Sequence, residues 1–207
     1  MLTIEQARTW YPDDPVHGFD HVMRVYRMAE HLAEIEGADL EIVRAAALLH
    51  DAHINHTGRE DHQHASANFA RQVLLSENWG EQAISAVEHC IRAHRFRDQR
   101  ESPDSLEAQI LYDADKLDAI GAIGVARAIA YAAMARNPAY APPSQAFIQS
   151  GSVEPGEKYS AYHEYLFKLS KLKHRLYTRS ARAIAEHRHR CMADFFDQLV
   201  TENKAER

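Results

Sequence analysis

Apolar residues recur at three- and four-residue spacing along nearly the whole chain. That periodicity gathers them on one face of a helix, and so predicts an all-α fold. Thr3-Ile4-Glu5-Gln6 reads as a capping box opening a short first helix. After a turn region at 12–18, Asp20 is placed to N-cap a second helix ending near Gly37, with Val22, Val25, Ala29, Leu32 and Ala33 as its apolar stripe. Asp39 opens a third helix, with Val43, Ala46 and Ala47 inward, running to about Ile54. A fourth carries Ala65, Phe69, Val73 and Leu74, and a fifth, after Gly80, carries Ala83, Val87 and Ile91.

From Ser105 to Arg136 the helical pattern is unusually long, and Gly121 and Gly124 imply either a break or close helix packing. The segment 137–158 holds four of the seven prolines and reads as an ordered flap or a mobile insertion. Two helices follow, at about 159–176 with Leu166, Leu169 and Leu172, and at about 178–203. Thr178 caps the last, and Ile184, Met192, Phe195, Phe196 and Leu199 line it. No period of 20–50 residues repeats, which excludes a solenoid. The pattern predicts one helical domain over 1–207, with a core at about 17–136, the Pro-rich insertion, and two C-terminal helices at about 159–203.

With 45% hydrophobic residues in 207, the chain is long enough to bury a core. Its formal net charge of −6 argues against a broad nucleic-acid surface, yet a few local cations suffice for a small phosphorylated ligand. Cys90 and Cys191 lie far apart, with no C-x-x-C spacing. No basic and apolar leader opens the chain, and no apolar run approaches the ~20 residues that span a bilayer, so a cytoplasmic protein is expected.

Fourteen histidines stand out, because several fall on apolar faces. His21 shares a face with Val25 and Met28, His50 with Val43, Ala46 and Ala47, and His94 with Val87, Cys90 and Ile91. Asp115 lies on the stripe of Leu111, and Asp51 directly follows His50 in the octapeptide AALLHDAH. One such histidine is ordinarily a core residue bonded to backbone. Several imidazoles and carboxylates converging from different helices need a common partner, and a metal ion supplies one. Adjacent helical residues point about 100° apart. His50 and Asp51 can therefore share an ion only if it lies beside the helix between them.

The order His21, His50-Asp51, Asp115 resembles the HD-domain superfamily of metal-dependent phosphohydrolases. DHVMRVYRMA is similar to the helix of that family's first ligand, and AAALLHDAH to its His-Asp helix. YDADKLDAIGAIGVARA and the C-terminal HEYLFKLSKLK resemble the small stand-alone bacterial members, so the likeness covers roughly 17–200. It implies a helical HD bundle with metal ligands at His21, His50, Asp51 and Asp115. Asp113 and Asp118 compete for the last position, and the motif favours Asp115. Some branches hold a second ion through two more histidines. Here His94 matches one position, and His62 fits the other better than His64 does. His53 and His56 read as loop residues, and His163, His174, His187 and His189 as surface or C-terminal packing residues.

Mixed His and carboxylate ligands suit Mn, Fe, Co, Ni or Zn better than Mg, although Mg remains compatible. The resemblance implies hydrolysis of a phosphate ester, of a nucleotide-like small molecule, by metal-activated water. Arg24, Arg95 and Lys116 are candidates to neutralise phosphate charge, His17 to serve as a general acid or to orient a ligand, and Asp118 to support the site or join two helices. Substrate selectivity would fall to the loop with Arg59, Glu60 and Asp61 and to the Pro-rich segment. A sensor of the same fold that binds nucleotide or metal without turnover is the principal alternative. A helical interaction module with incidental histidines is a further one.

Overall fold

A computed structural model describes residues 2–12, 18–52, 62–95 and 101–206. Ten α-helices and one 3₁₀ helix account for the regular structure among these residues, and no strand is present among them. The fold is all-α. His17, His53, His56, Arg59, Glu60 and Asp61 lie outside the described residues.

Two compact units divide the chain: one reaches to Asp115 and includes Leu176–Ala181, the other comprises Lys116–Arg175 and the chain from Arg182. In the first, α1 (Ile4–Arg8) opens with the capping box, Thr3 accepting from the Gln6 amide and the Gln6 side chain returning to the Thr3 amide. Helix α2 (Phe19–Glu36) starts two residues earlier than a cap at Asp20 would place it: Gly18 is its N-cap, and Asp20 sits exposed inside the helix. Asp39 caps α3 (Leu40–Leu49) as the sequence predicts, accepting from the amides of Glu41 and Ile42. That helix stops at Leu49 instead of continuing to Ile54, a difference that decides the geometry of the site.

Helices α4 (His62–Ser76) and α5 (Glu81–Ala93) pack together and are joined by Arg71. Its guanidinium grips the largely buried Glu88 through two parallel bonds, Nε to Oε1 at 2.9 Å and Nη2 to Oε2 at 2.8 Å, and also reaches Glu81. Such a fork fixes orientation as well as distance. The inward face of α4 is His62, Ser66, Ala67, Ala70 and Leu74; Ala65, Phe69 and Val73 are only half-buried. The predicted stripe was rotated, because a histidine and a serine hold positions where an apolar residue would normally mark the core. The part of α6 (Leu106–Asp118) up to Asp115 belongs to this unit, with Ala108, Ile110, Leu111 and Ala114 buried.

The long 105–136 pattern breaks between α6 and α7 (Gly121–Met134). Gly121 takes φ +77°, a left-handed conformation that other residues adopt at a cost. A Cβ at Gly124 would collide with the Ala119 carbonyl and lie 2.7 Å from Met192 Cε, so this glycine permits close packing. Both readings of the pair therefore hold, one at each position.

In the second unit the Pro-rich segment is ordered around Glu157. Its carboxylate accepts from the Ser144 amide at 2.6 Å, the Glu154 amide at 2.7 Å, the Ser144 hydroxyl at 2.9 Å and His163 Nε2 at 3.1 Å. Helix α8 (Gln145–Ser150) lies within it. The helix expected at 159–176 is two pieces, α9 (Ala161–Phe167) and a 3₁₀ helix (Leu169–Arg175). Thr178 caps α10 (Arg179–Asn203), its hydroxyl accepting from the Ala181 amide. Met192 and Phe196 are buried there, Tyr165 stacking on Phe196 at 4.5 Å, while Phe195 is exposed, contrary to its assignment to the lining. No single helix among the described residues is long and apolar enough to cross a membrane.

Candidate metal centre

The site assembles at helix ends, where backbone groups lose their helical partners and side chains can turn. His21 occupies the first turn of α2, its amide donating to the Gly18 carbonyl at 3.0 Å. His50 is the C-cap of α3, and His94 the C-cap of α5. His62 is the first residue of α4, and Asp115 lies on α6. The end of α3 resolves the 100° difficulty. His50 Nδ1 donates back to the Ala47 carbonyl at 2.9 Å, and the Ala52 amide reaches only as far as Leu49, closing a three-residue turn. Beside this turn His50 Nε2 and Asp51 Oδ2 come within 3.7 Å of each other.

Asp51 is the hub. Its Oδ2 stands 3.7 Å from His50 Nε2 and 3.9 Å from His21 Nε2, while its Oδ1 stands 2.9 Å from His62 Nε2 and 3.5 Å from His94 Nε2. Asp115 Oδ1 approaches His21 Nε2 to 3.6 Å. Two trios, His21–His50–Asp51 and Asp51–His62–His94, each place their donor atoms within 4.8 Å of one another, and all five of these residues are buried. Either arrangement has the donor chemistry of a divalent site.

Burial opposes ionisation of Asp51, but the imidazoles of His50, His62 and His94 facing it outweigh burial and hold the carboxyl well below its usual range. Burial also pushes the His94 imidazolium down to about 4, against the pull of Asp51. His94 is therefore a neutral imidazole at neutral pH, as a ligand must be. The buried Nε2 of His50 has no hydrogen-bond partner among the described residues. A buried polar atom left so is costly. A cation at that point would satisfy it, and the donor set fits one.

The three competing carboxylates of α6 separate cleanly. Asp113 is fully buried and accepts from the amides of Tyr177 and Thr178 at 2.9 and 2.7 Å and from the Thr178 hydroxyl at 2.7 Å. Asp118 pairs with Arg127 at 2.7 Å, joining α6 to α7. Asp115 approaches His21 to 3.6 Å. His62 is buried and His64 exposed. Arg95 donates to His62 Nδ1 at 2.8 Å. Arg24 is half-buried on α2, and Lys116 half-buried next to Asp115 in the chain.

Tyr11 escaped the sequence reading altogether. Its hydroxyl donates to the Leu48 carbonyl at 2.8 Å, and it packs with Leu2, Trp10, Met23 and Tyr26 over Ala7, Phe19, Val22 and Leu48. No spacing signal ties a tyrosine near the N-terminus to a turn almost forty residues on, since the contact is tertiary.

Comparison with known proteins identifies the family of the fold. The family model of the HD domain matches residues 18–120. YpgQ of Bacillus subtilis is 34% identical over 203 residues, covering 94% of this chain and 91% of that protein. The crystal structure of that protein in complex with ADP superposes with a TM-score of 0.73 at 31% identity, over 97% of each chain. An HD-superfamily hydrolase from Bacillus thuringiensis gives a TM-score of 0.75 at 30% identity, over 98% of this chain and 95% of that one. Matched by the family model and by relatives along nearly its full length, the chain belongs to the HD-domain family.

Proposed function

We propose that this protein is a metal-dependent phosphohydrolase that cleaves a phosphate ester of a nucleotide-like small molecule. The observation that carries the reading is the convergence of the buried His21, His50 and Asp51, with Asp115 3.6 Å from His21 and the inward nitrogen of His50 lacking a hydrogen-bond partner among the described residues. Those four side chains would hold the ion, and the backbone bond from His50 Nδ1 to Ala47 presents Nε2 to it as a lone pair. When bound, a divalent cation there would polarise a phosphoryl oxygen and acidify a water molecule. Asp115, about one-fifth exposed, forms the side of the group open to solvent and so to a substrate. Arg24 and Lys116 are half-buried cations on the two helices that carry His21 and Asp115, and they would offset charge developing on phosphate. A nucleotide is favoured as the substrate class because the similar YpgQ was crystallised with ADP.

The test is metal content together with turnover on a panel of nucleoside mono-, di- and triphosphates and cyclic diesters. Wild type is expected to carry a divalent ion and to hydrolyse at least one of them. His50→Ala and Asp51→Ala are expected to lose both properties. Stoichiometric metal without any hydrolysis across the panel would favour a sensor of the same fold, and wild type that binds no metal would end the reading.

A further inference from the structure

The net charge of −6 conceals an uneven distribution. Residues 168–190 hold eight lysines and arginines against one acid, Glu186, a local +7. In a 3₁₀ helix side chains three residues apart eclipse. Along Leu169–Arg175, Leu169 and Leu172 accordingly turn inward together, while Lys171 and His174 are exposed, as is Arg175 at its end. Lys173 pairs with Glu186 of α10 at 3.2 Å. Arg182 and Arg190, four residues to either side of Glu186, share its helix face and are exposed. The acid of that row is thus neutralised in place, and its cations stand at the surface.

Uncovered apolar surface borders these cations. Lys171 Nζ lies 5.3 Å from the centre of the Phe167 ring, and Phe167 is about half exposed. The Pro-rich segment crosses that ring at Gly151, where a Cβ would fall 2.2 Å from Phe167 Cε2. Ile148, three residues before the crossing, is 59% exposed, and Val153, two residues after it, is 45% exposed. Single exposed apolar side chains are ordinary, but three gathered at one ring contact form a patch.

We propose that this patch docks the protein on an anionic phospholipid surface, with Ile148, Val153 and Phe167 entering the headgroup boundary and the bordering lysine and arginines facing lipid phosphate. The proposal is independent of the metal reading. A nucleic acid would satisfy the cations, but its phosphate backbone offers Ile148 and Val153 nothing to bury against. A lipid surface answers both halves of the patch, and peripheral attachment rests on such a pair of signals, one apolar and one basic. The acidic remainder of the chain is screened beyond a Debye length of about 8 Å at physiological ionic strength, so the charge nearest the surface governs.

Flotation of the full-length protein with vesicles tests this. Wild type is expected to float with phosphatidylcholine vesicles containing about one-third phosphatidylglycerol, to stay behind with phosphatidylcholine alone, and to be released by high salt. Ile148→Ser and the pair Lys171→Glu/Arg175→Glu should each weaken binding about tenfold or more. Glu154→Lys, which replaces the acid exposed beside Val153, should strengthen it. Ile148→Trp supplies a probe at an exposed position, and its emission should shift to the blue on the anionic vesicles alone. No binding by wild type, or equal binding to both kinds of vesicle, would overturn the proposal. An unshifted Ile148→Trp emission, with an oligonucleotide competing for the cations, would assign the patch to nucleic acid. A wild-type dimer that Ile148→Ser dissociates would assign it to a second copy of the chain, and either outcome ends the lipid reading.

Discussion

The phenolic hydroxyl of Tyr11 donates to the backbone carbonyl of Leu48 at 2.8 Å, two residues before the His-Asp pair. Helix α3 ends at Leu49, so this carbonyl belongs to the last turn, where acceptors lack helical donors. Burial first, and then the charge of Asp51, raise the phenol well above its usual pKa, so it remains a donor across the working range. Tyr11→Phe keeps the ring against Phe19 and removes only the oxygen. Stability should fall by about 0.5–1.5 kcal/mol, the usual worth of one such bond. Metal affinity should weaken with it, because the turn that aims Asp51 is loosened. Denaturant unfolding and metal titration on the same samples check both, and unchanged values would remove Tyr11 from the site's support.

Asp113 offers a contrast two residues from a proposed ligand. It accepts three bonds from Tyr177 and Thr178 and is fully buried. Asp113→Ala strands two amides and a hydroxyl, and each buried orphan costs about 1–3 kcal/mol. A loss of about 3 kcal/mol or more is expected in chemical denaturation. Asp115→Ala, at a partly exposed position held to His21 at 3.6 Å, should cost far less stability and more metal affinity. Equal stability losses in the two variants would contradict this division of labour.

Much of this arrangement could be read from the chain, and the parts that could not share a physical cause. The inward histidines of α2, α3 and α5 were legible because helical phase links each to apolar neighbours three or four residues away. The α4 face was misplaced because His62 and Ser66 occupy core positions, and a hydropathy pattern discounts polar residues. The early end of α3 was invisible for a related reason. AALLHDAH contains no glycine or proline, and the helix ends where His50 Nδ1 bonds the Ala47 carbonyl and the Ala52 amide closes a tight turn on Leu49. Arg95–His62 and Tyr11–Leu48 are contacts across 33 and 37 residues, which no local period encodes.

Metal removal gives a prediction that depends on linkage alone. An ion that binds the folded chain stabilises it according to its concentration relative to Kd, by ~2.7 kcal/mol at a hundredfold excess. Chelator should therefore lower the melting temperature of metal-loaded wild type, and added ion should restore it. His50→Ala should melt at the same temperature with or without ion. Identical melting of wild type in chelator and in excess ion would show that the ion contributes nothing to the folded state.

The two cysteines should behave differently toward a thiol reagent. Cys90 is fully buried on α5, and burial, reinforced by the charge of Glu107, pushes its thiol up and out of the reactive range. Cys191 is exposed on α10. Native protein should release one equivalent of chromophore from a disulfide reagent at neutral pH, and denatured protein two. Cys191→Ser should abolish the native signal, whereas rapid labelling of both thiols would mean that α5 opens readily.

Glu157 sets the acid response of the Pro-rich segment. Hydrogen bonds from the amides of Glu154 and Ser144, with lesser help from His163 and the Ser144 hydroxyl, lower its pKa to about 2. An unfolded glutamate titrates near ~4.3. The folded value is the lower, so the unfolded chain binds the proton more readily. The contribution of Glu157 is complete above ~4.3 and is lost as pH falls from there toward 2. Glu157→Gln should therefore destabilise the protein at neutral pH and flatten its stability profile between pH 4 and pH 2, so that the two curves converge in acid. Urea unfolding at stepped pH measures this, and curves that stay parallel down to pH 2 would show that Glu157 has the same pKa folded and unfolded.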